Sequence, residues 1–124
     1  MSKKFSITER VRSFGYAING IKYTLLTQHN FFIHITLTAI AIILGFLLDI
    51  SKNEWVAIII VIGLVLSAEV LNTAIEEIVN LISPQKNKKA GIIKDLAAGA
   101  VLLLAIASLL TGLIIFLPKI IALL

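Results

Sequence analysis

The stretch WVAIIIVIGLVLSAEVLNTAIEEIVNLI, residues 55–82, starts as an apolar run and ends as a row of acids and amides. Nothing between Trp55 and Leu66 is charged, and then come Glu69, Asn72, Glu76, Glu77 and Asn80. About 20 helical residues, at roughly 1.5 Å each, cross a 30 Å hydrocarbon core. A helix over 54–82 therefore carries polar groups into the membrane before it ends. With Trp55 as an interfacial anchor, Glu69 follows 14 residues later. That is roughly 21 Å deep, about 9 Å short of the far boundary. Positions 69, 72, 76 and 80 fall on one helix face, whereas Glu77 points about 100° away from Glu76 and is expected at the interface. A carboxylate at the depth of Glu69 costs on the order of 2.5–3.5 kcal/mol to insert. It must be paired, protonated or held in a polar pocket.

The rest of the chain agrees with a membrane setting. The sequence has 124 residues, 59% hydrophobic and 15% charged, with a mean hydropathy of +1.03. A water-soluble domain of this size could not bury that much apolar surface. Two further runs are long enough to span: FFIHITLTAIAIILGFLL (31–48) and LAAGAVLLLAIASLLTGLIIFL (96–117), the latter expected to stop at Pro118. We expect spans at 31–49, 54–82 and 91–117 within one membrane-embedded domain, joined by a polar turn at 49–54 and a basic loop at 83–91 that Gly91 loosens. With no cysteine there is neither a disulfide framework nor a thiolate metal site.

Before the first span lie Lys3, Lys4, Arg10, Arg12 and Lys22; between the second and third lie Lys86, Lys88, Lys89 and Lys94. Only Lys52 lies between the first two and Lys119 after the last. The positive-inside rule puts the N-terminus and the second loop in the cytoplasm and the C-terminus outside. The net charge of +4 is thereby explained by lipid and topology, with no nucleic-acid partner expected. The N-terminal segment lacks the apolar core of a signal peptide and is read as retained. Its apolar residues Ile7, Val11, Phe14, Ile18, Ile21 and Leu25 recur in steps of 4 and 3. This pattern predicts an amphipathic helix over 6–27 lying on the cytoplasmic leaflet, with Ser6 and Glu9 as a capping box. Small residues on the third span (Ala97, Ala98, Gly99, Ala100) permit close helix contact and point to oligomers.

The acidic row faces the basic loop, where KAGIIKDLAAGA places Lys94 and Asp95 just before the third span. Lys94 can neutralise phosphate oxygens, and Glu76 and Asp95 can ligate a hard divalent cation. Glu69, deeper, can take a proton from a lipid alcohol. These residues compose a kinase whose acceptor lies in the bilayer and whose triphosphate arrives from water. No Walker A or GxGxxG pattern accompanies them. His29 and His34, five apart, are off-face for a shared metal and are read as structural or headgroup contacts.

The combination AEVLNTAIEEIVNLIS and KDLAAGAVLL, together with SFGYAINGIK and HNFFIH, resembles the small bacterial membrane lipid kinases, the diacylglycerol and undecaprenol kinase family, over nearly the whole chain. NTAIE, HNFFIH and GLIIFLPK lean toward the undecaprenol branch. The resemblance implies an all-α homotrimeric bundle, each protomer with three transmembrane helices and a surface helix, acting on ATP with Mg2+ in the bacterial cytoplasmic membrane. It makes Glu69 the catalytic base, Asn72 its polar neighbour and Glu76 a metal ligand. Lys94, Asp95, Tyr16 and the loop Gln85, Lys86 and Asn87 would meet the nucleotide. It also marks departures: Gln28 stands where a metal-binding Glu is usual, Asn80 where Asp is common, and Phe32 where a polar or basic residue often lies. Those losses imply weakened cation binding. Three alternatives stay open: a diacylglycerol kinase, an inactive relative with a structural role in the membrane, and a small proton-coupled transporter using Glu69.

Overall fold

The computed structural model describes residues 4–124, so Lys3 of the charge asymmetry lies outside the described residues. Four helices follow one another: α1 Ile7–Thr27, α2 His29–Leu47, α3 Lys52–Ile82 and α4 Lys88–Leu123. Among the described residues there is no strand. α2, α3 and α4 are each long and apolar enough to cross a membrane. Their leucines and isoleucines are widely exposed, Leu103 and Ile114 among them, as a lipid-facing surface requires.

Local chemistry sets the helix ends. Ser6 accepts from the Glu9 N–H at 3.3 Å, one arm of the expected box. Both arms form at Ser51 and Glu54, which start α3. α2 ends in a Schellman turn: the Ile50 N–H donates to the Gly45 carbonyl at 3.1 Å and Asp49 to Phe46 at 3.4 Å. Asp49 takes the left-handed backbone (φ 51) that this turn needs and that Asp tolerates better than most residues. Between α1 and α2 a single extended residue, Gln28 (φ −117, ψ 110), forms the elbow.

Two expectations for the third span are corrected. The helix begins at Lys88, because the Asn87 side chain caps the N–H groups of Lys89 and Ala90. Gly91 is therefore helical, its N–H bonded to the Asn87 carbonyl at 3.0 Å, and does not loosen a loop. The helix also does not stop at Pro118 but runs through it to Leu123. Proline removes one N–H, while the neighbouring amides in an apolar medium still have no better partner than the helix. Ile115 and Phe116 are buried just before it, and Lys119 Nζ reaches Glu54 Oε1 at 3.3 Å just after. These contacts tie the last turns of α4 to the first turn of α3.

The apolar core sits at that same end: Ile50, Ile58, Ile115 and Phe116, covered by Leu44, Leu48 and Trp55. The Trp55 ring fills the space over Gly45, where a Cβ would lie 2.5 Å from Cη2 and 2.7 Å from Cζ2. Gly45→Ala must therefore push the indole aside. We expect it to lower stability by about 1–3 kcal/mol, read as a drop in melting temperature in detergent.

Candidate active site

The opposite end of the bundle buries polar groups beside apolar ones such as Phe31 and Val79. Thr24, Glu69, Asn72 and Thr73 are all buried there, with Phe31 among them. The face predicted from 69, 72 and 76 is realised on α3. Asn72 Nδ2 donates to Glu76 Oε1 at 3.0 Å. From the α1–α2 elbow, Gln28 Nε2 donates to Glu76 Oε2 at 3.2 Å. Both oxygens of the Glu76 carboxylate are thus held by neutral amides, and the extended backbone at Gln28 turns that side chain toward α3. Asn72 Oδ1 is buried without a donor.

Deeper along the same face, Glu69 is only 3% exposed. Its Oε1 lies 2.9 Å from His34 Nδ1 of α2. The direction of the ring N–H misses the oxygen, so the two buried atoms touch without an aligned hydrogen bond. His34, expected from the sequence to be structural or a headgroup contact, thus lies against the candidate site acid. At 35 positions from Glu69 no local spacing could reveal it; the only signal was a titratable group inside an apolar span.

Toward the end of α3, Lys94 Nζ donates to Asn80 Oδ1 at 2.6 Å. A neutral partner positions the lysine without cancelling its charge. Glu77 points off the site, as its register predicts, and accepts from the Tyr23 hydroxyl at 2.6 Å. The hydrogen bond and the negative charge of Glu77 push the Tyr23 pKa above its ordinary value. A raised phenol contributes to stability below its unfolded pKa of about 10 and loses that contribution as pH rises through the folded value. Tyr23→Phe should accordingly melt below wild type at about pH 8, and the gap should close well above pH 10.

Several expected site residues are not joined to this cluster within one chain. Tyr16, Gln85, Lys86, Asn87 and Asp95 are exposed. Asn87 is engaged as the α4 cap, and the Gln85 carbonyl accepts from the Ser83 hydroxyl at 3.2 Å. Among the described residues the Asp95 side chain makes no hydrogen bond or ion pair, and nothing links it to Glu76. Among the described residues no three His, Asp or Glu side chains gather as a ready metal site. The donors present are nonetheless hard oxygens: the Glu76 carboxylate and the side-chain amide oxygens of Gln28 and Asn72, the latter buried without a partner. That set suits a cation completed by phosphate oxygens and water, the usual manner of binding magnesium.

Three apolar helices with a buried carboxylate at depth and a polar cluster at one end define a multi-pass membrane protein with an internal acid site. The prokaryotic diacylglycerol kinase family profile matches residues 15–116. The undecaprenol kinase of Bacillus subtilis (strain 168) is 44% identical over 108 residues, covering 87% of this chain and 88% of the relative. A diacylglycerol kinase of Synechocystis is 42% identical over 113 residues, covering 90% of this chain but 64% of that protein. The diacylglycerol kinase of Escherichia coli (strain K12) is 27% identical over 104 residues, 84% of this chain and 85% of the relative. The chain belongs to the prokaryotic diacylglycerol kinase family and is a lipid kinase.

Proposed function

We propose that this chain phosphorylates undecaprenol with the γ-phosphate of ATP, in the cytoplasmic membrane of a bacterium. One observation carries the reading: Glu69 is 3% exposed within the span and shares a helix face with the Gln28–Asn72–Glu76 cluster. A lipid alcohol held in the bilayer meets basicity supplied by Glu69. A triphosphate arriving from water meets Lys94 and Glu76 at the end of the same face. The alcohol loses its proton, its oxygen attacks the γ-phosphorus, and the bond to ADP breaks. Undecaprenol is favoured over diacylglycerol by the 44% identity to an undecaprenol kinase.

Glu76, with the amide oxygens of Gln28 and Asn72, would hold Mg2+. Bound there with ATP, the ion supplies charge neutralisation across the phosphates. Tyr16, Asp95 and the Gln85–Asn87 segment border the nucleotide in this reading. As they stand apart from Glu76 within one chain, an assembled homotrimer is the natural means of completing the site. α1 lies on the cytoplasmic leaflet, its Ile7, Val11, Phe14 and Ile18 exposed in the isolated chain and turned to lipid. The N-terminus faces the cytoplasm and the C-terminus the outside.

The test supplies purified protein with labelled ATP and vesicles containing undecaprenol or diacylglycerol. Faster labelling of undecaprenol is expected; faster labelling of diacylglycerol reassigns the acceptor, and labelling of neither removes the kinase reading. In the same assay Gln28→Glu should lower the magnesium concentration for half-maximal rate by roughly tenfold, since it adds a charged oxygen ligand. An unchanged magnesium dependence would show that Gln28 does not limit cation binding.

A further inference from the structure

We infer that Gln28 docks the surface helix α1 on α3 without help from a cation, and that the same amide turns end for end when Glu76 takes one. The inference rests on the reading of Glu76 as a cation ligand and concerns what this chain's own side chains do around it.

Little holds α1 to the bundle. Every residue from Ile7 to Tyr23 is exposed, and Thr24 alone in the helix is buried. Among the described residues two side-chain hydrogen bonds join α1 and its elbow to the rest of the chain. The Tyr23 hydroxyl donates to Glu77 Oε1 at 2.6 Å, and Gln28 Nε2 donates to Glu76 Oε2 at 3.2 Å. The two acceptors are consecutive acids on α3, about 100° apart around the helix. They grip the last turn of α1 and the elbow from two sides. The elbow is also bonded through its backbone, the Gln28 N–H donating to the Thr24 carbonyl at 2.9 Å.

The carboxylate dictates which end of the Gln28 amide meets it. Were the amide reversed, its oxygen would face a carboxylate oxygen at 3.2 Å with no proton between them. Asn72 obeys the same rule, its Nδ2 donating to the other Glu76 oxygen at 3.0 Å. Both carboxylate oxygens are satisfied by protein donors, and neither bond needs a metal. A carboxamide also has a second face. A half-turn about its last side-chain bond puts oxygen where nitrogen stood, with no change in the backbone. Oxygen is what a hard divalent cation takes. For Asn72 the half-turn has a further consequence. Its Oδ1 is buried without a partner, and the turn brings that atom to the Glu76 carboxylate, where a cation supplies one.

A glutamate at position 28 would lack this second face. It has only acceptors, so beside Glu76 it repels unless a cation or a proton lies between. Gln28 thus separates two events that a pair of carboxylates would join: the docking of α1 and the arrival of the metal.

Hydrogen exchange of the full chain in lipid nanodiscs, read by mass spectrometry, follows this docking through the backbone amides of residues 22–28. Wild type, Gln28→Glu and Gln28→Leu are compared in EDTA and in excess magnesium, without nucleotide. Wild type should exchange this segment at the same rate in both. Gln28→Glu should exchange it about tenfold faster in EDTA, for want of one charge-assisted hydrogen bond, and return toward the wild-type rate in magnesium. Gln28→Leu should exchange faster than wild type in both, with no response to the metal. Wild-type protection that appears only with magnesium overturns the inference and leaves the kinase reading intact. So does a Gln28→Glu protein as slow as wild type in EDTA. Residues 44–50, at the far end of α2, should exchange equally in all three proteins; a rise there alongside 22–28 makes the loosening global and removes the latch. A Gln28→Glu protein that loosens in EDTA and stays loose in magnesium overturns the cation reading of Glu76 itself. Side-chain NMR supplies the second readout. The NH2 signals of Gln28 and Asn72 should both move when magnesium and a non-hydrolysable ATP analogue are added to wild type, and signals that stay put overturn the half-turn.

Discussion

Glu69→Gln is expected to leave a folded membrane protein that transfers phosphate about 10²–10⁴-fold more slowly. The substitution is nearly isosteric at a position 3% exposed, so the helix packing has no reason to change. Stability should hold or rise, because the wild-type carboxylate carries an insertion cost on the order of 2.5–3.5 kcal/mol that Gln largely avoids. The KM for ATP should barely move, since Glu69 is set two turns of α3 inward from Glu76. The combination of lost kcat and retained melting temperature separates a functional acid from a structural one. A variant that both unfolds and loses activity would place Glu69 among the packing residues. The measurements are initial rates with labelled ATP and thermal melts of the same preparations.

Glu76→Gln is the second large effect, with a different signature. Its two amide neighbours, Gln28 and Asn72, can still bond a side-chain oxygen at this position, so folding should survive. What disappears is the one carboxylate of the cluster. A cation held by amides and phosphate alone is weakly bound, and the magnesium requirement should rise by roughly 10–100-fold. Excess magnesium should recover part of the rate, which it cannot do for Glu69→Gln. Failure of added magnesium to recover any rate would mean that Glu76 does not serve the cation. This chain is a sensitive place to look, because Gln28 leaves Glu76 without a charged partner.

The sequence made the spans and the acidic face legible, for a plain reason. Bilayer thickness turns hydropathy into length, and the 3.6-residue period turns spacing into direction. Glu69, Asn72 and Glu76 share a face because nothing between them breaks the helix. The ends of α4 were harder to read. Lys88, Lys89 and Gly91 look like loop residues, yet Asn87 caps the helix before them. Pro118 looks like a stop, yet the ion pair of Lys119 with Glu54 and the burial of Ile115 and Phe116 carry the helix past it. Those are tertiary facts with no local mark. The same holds for His34, whose partner is on another helix. Only the family resemblance points to Gln28, and its bond to Glu76 depends on an elbow that the sequence does not announce.

The proposed function requires the nucleotide to dock at the water boundary, at the Glu76–Lys94 end of the face that carries Glu69 inside the membrane. Paramagnetic broadening of backbone NMR signals by Mn2+ with a non-hydrolysable ATP analogue tests it directly. Strong loss of signal is expected at Glu76, Asn80 and Lys94, weaker loss at Glu69 and His34, and none at Trp55 or Lys119. Broadening centred on the Trp55–Lys119 end, or spread evenly along the helices, would contradict it.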